Sequence, residues 1–335
     1  MPWSVDWKVT VDGQDMSAAM KPFLISVDVT DKEGTASDTC SLTLDDRGGQ
    51  VRLPREGAAV SVALQGATVF LGIVDTVRST GTRGGGSLLV VGAKGFDSRG
   101  KVKEGQSFHK DDATLEDFLS EAAKAAGYSI TIDPDLGKIE RSYWASEGES
   151  FLALGQRIAR EVGGTFKLRG TQAILMKRGS SPLAAVVAFS GPGGNLISWD
   201  IAPFTGRRSF TKAKVQYFDR EKAKFEQEEI EFETDRDLPD ATNVIRSTAG
   251  DKTQAKDIAE ARKREAEREG GEGTVVLDLT PSAQAEAMLI LSGTRPGVDG
   301  SYRIVTVSHK TDRTGGATTS LELRQPTGSA GKDQR

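Results

Sequence analysis

The chain has 335 residues, 37% hydrophobic and 27% charged, with 44 basic against 48 acidic side chains and a net charge of −4. The length fits two or three domains. The near balance of charge excludes disorder driven by net charge and gives no electrostatic case for nucleic-acid binding, which needs a basic face. No apolar run reaches about 18 residues, so neither a transmembrane helix nor stable membrane insertion is expected. The N-terminus, MPWSVDWKVTVDG, has no basic n-region and no apolar h-region. No secretory leader is therefore expected, and first use is expected in a cytoplasm. Cys40 is the only cysteine, which excludes an internal disulfide and a multi-cysteine metal site.

Residues 1–100 read as a first small β-barrel. Val5, Trp7, Val9 and Val11 alternate with polar residues up to an Asp12-Gly13 turn. Phe23, Ile25, Val27 and Val29 repeat the alternation, as do Cys40, Leu42 and Leu44, and then Val60, Val62 and Leu64. Val69, Leu71, Ile73 and Val77 are expected on one buried face, and Leu88–Val91 follows a glycine turn. Six short strands with one apolar face predict a barrel or sandwich.

Residues 101–194 change period and read as an α+β module. Leu115, Phe118, Leu119, Ala122, Ala123 and Ala126 make one helical face, capped by Thr114 with Asp117 and ended by Gly127. A strand follows at 129–132. Phe151, Leu154, Ile158 and Val162 form a second helical stripe, with Ser146 and Glu149 as the expected cap. Residues 165–176 read as a hairpin.

Residues 195–325 return to β and read as a second barrel region. Ile197, Trp199 and Ile201 alternate with polar residues, and 212–219 and 225–232 are further strands. Residues 251–269 form a charge-dense helix whose stripe is Ala255, Ile258, Ala259 and Ala266. It is expected to lie solvated on a barrel, or alternatively to select a partner subunit. Strands at 275–279 and 286–291 lead to a closing hairpin over 301–324, with Gly315 and Gly316 expected at positive φ. Residues 326–335 read as a flexible tail.

No catalytic, cofactor-binding or metal-binding residue is assigned. His109 and His309 are far apart, so no two-His metal motif exists. Gly95–Lys101 has P-loop spacing, but Val102 replaces the magnesium-binding hydroxyl. Asp133-Pro134-Asp135 lacks the oxygen ligands of a calcium loop and reads as a turn. Trp3, Trp7, Trp144 and Trp199 are scattered, which fits core or interface roles. No cofactor and no enzymatic turnover are expected.

Thr39–Asp46 with Pro54-Arg55-Glu56-Gly57, Thr114–Tyr128, Glu149–Leu152 with Ile158-Ala159 and Gly163-Gly164, Lys214–Asp219, and Gly300–His309 with Gly315–Leu323 occur in this order. Together they resemble the phage late control gene D protein family, the baseplate hub of contractile tails. Phe151 stands where that family usually has an acidic residue. The resemblance implies a mainly β fold with an α+β insertion: two small β-barrels flank or enclose an α+β module in a hub-like ring subunit. It implies a homotrimer whose six barrels adapt a sixfold tail tube to a threefold central spike around a DNA channel. Implied partners are the tail tube protein, the central spike protein, other baseplate proteins and the tape measure protein, with DNA only in transit. The implied location is the virion tail, after assembly in the host cytoplasm. Alternatives are the hub portion of a type VI secretion-like spike, a tail-associated cell-wall hydrolase, and a generic β-rich binding domain.

Overall fold

The structure is a computed structural model that describes residues 5–34, 37–179, 183–205, 211–219, 221–231, 241–268 and 270–333; the side chains of 247, 266 and 267 also fall outside the description. Trp3 and the side chain of Ala266 therefore lie outside the described residues, as do residues 232 and 269 at the ends of two expected elements.

The chain opens with β1 (Trp7–Val11), β2 (Gln14–Asp15), a single turn α1 (Ser17–Met20), β3 (Leu24–Lys32), β4 (Thr39–Asp45), β5 (Ala59–Leu64), β6 (Ala67–Thr82) and β7 (Gly86–Lys94). Asp12 and Gly13 both take positive φ (46° and 80°), the backbone of a two-residue hairpin loop. The alternating rows Val27/Val29, Cys40/Leu42/Leu44 and Val60/Val62/Leu64 are all buried in one apolar cluster. In β6 the expected face is wrong. Phe70 and Val74 are buried while Leu71 and Val77 are exposed, and register shifts opposite Ala63 and at Thr76 carry the strand through.

After a short 3-10 turn at Lys101–Lys103 come β8 (Gly105–Thr114), α2 (Leu115–Ala126), β9 (Ser129–Ile132), α3 (Pro134–Gly137), β10 (Glu140–Ser150), α4 (Phe151–Val162), β11 (Gly164–Arg169) and β12 (Gln172–Lys177). Thr114 Oγ1 accepts from the Asp117 N–H at 3.1 Å, and Gly127 closes α2 with φ 80°. The cap of α4 is Ser150, whose Oγ accepts from Ala153 N–H at 3.2 Å. The expected Ser146 instead lies within β10 and donates to Gln106 O, because the β8–β10 ribbon stays paired as far as Ser150. The two helices, the ribbon and the hairpin close over Phe118, Leu119, Phe151, Leu154, Ile158 and Phe166.

Gly155 lets α4 approach β11 closely: a Cβ there would sit 2.5 Å from the Phe166 ring. Phe151 backs that ring edge-on at 5.5 Å, so it cannot retreat. Gly155→Ala gains about 1 kcal/mol of helix propensity but overpacks a core at about 1–3 kcal/mol. A net loss of up to about 2 kcal/mol in denaturant unfolding is expected.

The remainder comprises β13 (Val186–Phe189), β14 (Leu196–Ala202), β15 (Lys212–Asp219), β16 (Lys224–Glu231), β17 (Thr242–Ala249), α5 (Lys252–Arg268), β18 (Glu272–Asp278), β19 (Met288–Ser292), β20 (Gly300–Asp312) and β21 (Gly316–Thr327). β13, β14 and β18–β21 surround Val275, Leu277, Leu289, Tyr302, Ile304 and Leu321. In the closing hairpin only Gly316 takes positive φ, because the Gly315 N–H instead bonds Asp312 Oδ1.

Two readings of this region are corrected. β15–β17 form a separate three-stranded sheet, not part of the second barrel. Ala213, Val215 and Tyr217 are covered by Ala255 and Ala259 of α5, so β15 buries its apolar face without any barrel neighbour. The stretch 326–333 is not a loose tail. Ala330 is buried, Gly331 N–H bonds Gly297 O at 2.8 Å, and Ser329 Oγ bonds Asp299 O at 2.7 Å.

β3 joins the two β-rich regions. It pairs with β4 on one side and, from Ser26 to Lys32, with β20 on the other. One sheet of 13 described strands therefore runs from β14 through β18, β21, β20, β3, β4, β7, β6 and β5 to β1 and β2, with β19 and then β13 branching off at β20. The architecture is mainly β, with two barrel-like units around an α+β module.

Candidate functional site

The residues singled out for chemistry are engaged with their neighbours in the fold. Cys40 is buried, and burial, with Asp28 adding, pushes its thiol up to about 12. His309 lies within β20, where its Nδ1 shares a 3.0 Å hydrogen bond with Thr319 Oγ1, and burial pushes the imidazole below its ordinary value. His109 stacks on Tyr143 across the β8–β10 ribbon. Residues 95–102 form a loop out of β7 that ends in buried Val102, with no helix for a phosphate to cap. Asp133 caps α3 by accepting from Asp135 N–H at 3.0 Å. Among the described residues no group of three His, Cys, Asp or Glu could hold a metal ion. Trp144 is core: its indole N–H donates to Ala113 O, and its ring stacks on Phe118.

The charged side chains that do converge form a junction between the units. In β3, Asp31 continues the inward row of Val27 and Val29. In β11, Lys167 points away from its neighbours Phe166 and Leu168, which are buried in the module's core. Lys167 Nζ bonds Asp31 and reaches Asp38 at 3.2 Å. The other oxygen of Asp31 accepts from Ala285 N–H at 2.8 Å. Beside this, Glu33 binds Arg268 of α5 and lies 3.4 Å from Arg178. Glu286 accepts from Thr165 Oγ1 at 2.6 Å and faces Arg268 and Arg303 at 3.4 and 3.6 Å. With Arg169 of β11 also 3.6 Å from Asp38, four carboxylates thus meet five cations drawn from β3, the β3–β4 loop, β11, the end of β12, α5, the loop before β19, and β20.

The electrostatics follow from burial. Burial pushes the Asp31 carboxyl up, but Lys167 and the Ala285 N–H overcome it, so Asp31 lies below its ordinary value. Burial raises Asp38, and the Asp31 charge adds to that against the pull of Lys167. Burial, reinforced by Glu286, raises Glu33 despite Arg268 and Arg178. Burial disfavours the Lys167 ammonium, but Asp31 and Asp38 outweigh it and raise its value. The carboxylate oxygens are engaged by cations and N–H groups, and Lys167 with Asp31 and Asp38 welds the α+β module to β3 and the β3–β4 loop.

A second feature faces outward. On the second barrel Val187 (56% exposed), Phe189, Ile290, Ile197 and Trp199 (44% exposed) are uncovered. Val187 and Ile290 are register partners on β13 and β19. Asn195 satisfies β13 by accepting from Phe189 N–H and donating to Val187 O. β14 has a ladder partner on one side only, β18, among the described residues. An apolar stripe beside an open strand edge is the signature of an interaction surface. Between α1, the 50–55 loop and the first sheet lies a partly open pocket of about 690 Å³, lined by Val11, Met20, Phe23, Leu42 and Leu53.

The fold is that of phage tail and type VI secretion proteins. It matches the tail protein from Neisseria meningitidis MC58 with a TM-score of 0.72 at 16% identity, over 96% of this chain and 97% of that one. It also matches a component of the Escherichia coli type VI secretion system, described as structurally similar to T4 bacteriophage tail proteins, with a TM-score of 0.59 at 11% identity over 98% and 79% of the two chains. By sequence, the chain is similar to the "Probable baseplate hub protein" of Escherichia phage 186, at 25% identity over 292 residues, 84% of this chain and 74% of that protein. No family model matches the chain.

Proposed function

We propose that the chain is the structural baseplate hub of a contractile phage tail or a related injection particle. It works as a homotrimer in which three copies present six barrels in a ring. The ring adapts a sixfold tail tube to a threefold central spike and surrounds the DNA channel. The observation that carries this reading is the end-to-end likeness: a tail-protein fold over 96% of the chain together with sequence similarity to a hub protein over 84% of it.

The physics of the chain supports the role. Both β-rich units are fused by seven register pairs between β3 and β20, and Lys167 and Thr165 of β11 fix the α+β module against them through Asp31, Asp38 and Glu286. Such a subunit resists collapse. The apolar stripe on β13, β14 and β19 supplies a surface that a neighbouring copy can bury. The reading assigns no catalytic step and places the protein in the virion tail. A second reading, the hub portion of a type VI secretion-like spike, is favoured by the likeness that spans 98% of this chain.

Co-expression with the tail tube protein and the central spike protein of the same particle tests the assignment. Co-purification of the chain with both is expected. Recovery of the folded chain with neither would overturn the assignment.

A further inference from the structure

α5 has two working faces. Ala255 and Ala259 bind it to Ala213, Val215 and Tyr217 of β15, so helix and sheet share one small apolar core. The other face carries Gln254, Asp257, Ala261, Arg264 and Arg268, which recur at helical spacing on one stripe. That stripe meets the rest of the protein. Gln254 donates to Glu161 of α4 at 3.4 Å, and Asp257 lies 3.5 Å from Arg141 of β10. The Arg264 guanidinium lies against Gly163, and Arg268 binds Glu33 and faces Glu286.

The seam is polar and imperfectly paired. Asp257 Oδ2, Arg141 Nε and Nη2, and Arg264 Nε are buried without a hydrogen-bond partner. The apolar side chains of β15–β17 and α5 that are assigned to a buried cluster belong to their own and to none of the other three. Opening an apolar seam would expose hydrophobic surface at a cost. Opening this one breaks the Arg268–Glu33 and Asp257–Arg141 contacts, and hydration of the buried Arg141 Nε and Arg264 Nε offsets part of that cost.

We propose that α5 and β15–β17 form one body that separates reversibly from the α+β module and the barrels along this stripe, both parts remaining folded. The seam responds to charge. Asp257 faces Arg141 from β10, with Gln254, Asp251 and Glu260 on its own helix. Glu161 and Arg157 of α4 stand behind Arg141 and engage each other. Burial pushes the Asp257 carboxyl up, Arg141 pulls it down, and Glu260 and Asp251 push it up again, leaving it above its ordinary value. A carboxyl raised in the closed form favours closure below the ordinary carboxylate range, and that contribution is lost as pH rises through the raised value. Acid therefore closes the seam, and neutral pH loosens it.

The test uses Ala261→Cys in the full chain, because Ala261 is buried in the middle of the stripe. Buried Cys40 in the same molecule reports whether the whole fold has opened. At neutral pH the introduced thiol is expected to react with a thiol reagent at least about tenfold faster than Cys40, because local opening costs less than global unfolding. Adding Asp257→Asn removes the buried charge. It should slow that reaction about fivefold, the lower end of the cost of an unpartnered buried polar group, while Cys40 stays protected. A thiol that reacts only as fast as Cys40, or at a rate that Asp257→Asn leaves unchanged, overturns the proposal.

Discussion

Lys167→Met is expected to destabilise the folded chain by about 3 kcal/mol at neutral pH, the lower end of the range for removing one partner of a buried ion pair. Among the described residues, Lys167 is the only cation that bonds both Asp31 and Asp38. Methionine fills much of the same volume, so packing is largely kept while the two carboxylates lose the cation between them. The pH dependence fixes the interpretation. In the wild type, the lowered Asp31 contributes stability above the ordinary carboxylate range and loses it as pH falls. The raised Asp38 has the opposite sign: its contribution is present in acid and fades as pH rises. Without Lys167 both carboxyls are raised, so the deficit of the variant should shrink on acidification. Urea unfolding at neutral and mildly acidic pH measures both effects. A loss under about 0.5 kcal/mol, as for an ordinary surface substitution, would show that the junction is not a weld.

Trp199→Ala is expected to weaken self-association by about 2 kcal/mol or more per interface, roughly thirtyfold, the size typical of an interfacial tryptophan. The side chain sits on the open-edged strand β14 with much of its surface uncovered. Its removal should leave the unfolding of the single chain nearly unchanged. The split between intact fold and lost association is the informative readout, followed by the concentration dependence of mass in solution. Equal association of variant and wild type would move the interface away from β13, β14 and β19.

Much of the fold was legible in the sequence because it is carried by local periodicity. The rows Val27/Val29 and Val60/Val62/Leu64 announced strands, and the stripes from Leu115 and Phe151 announced helices; all are buried as expected. The ribbon of β8 and β10 was not legible, since GQSFHKDDAT has few β-branched or apolar residues and gains its pairing from β10. β6 misled because Leu71, Ile73 and Val77 look like a better row than Phe70 and Val74. The face was decided by the pairing across a bulge. Residues 212–231 were legible as strands but not as a separate sheet. Their partner was helix α5, about 40 residues downstream, whose alanines are small enough to be overlooked. The junction was hardest to see, because Asp31, Lys167 and Glu286 are distant in sequence. The one local hint is a charged residue in an apolar row, as at Asp31. Trp199 was assigned to core or interface from sequence, and its exposure places it on the surface side of that choice.

The most direct test of the hub assignment is the native mass by light scattering over a range of concentrations, alone and mixed with the central spike protein. The account predicts a stable particle with three copies of the 35.8 kDa chain, and a ring with a central channel on imaging. A mass of one chain at every concentration, with and without the spike protein, would contradict it.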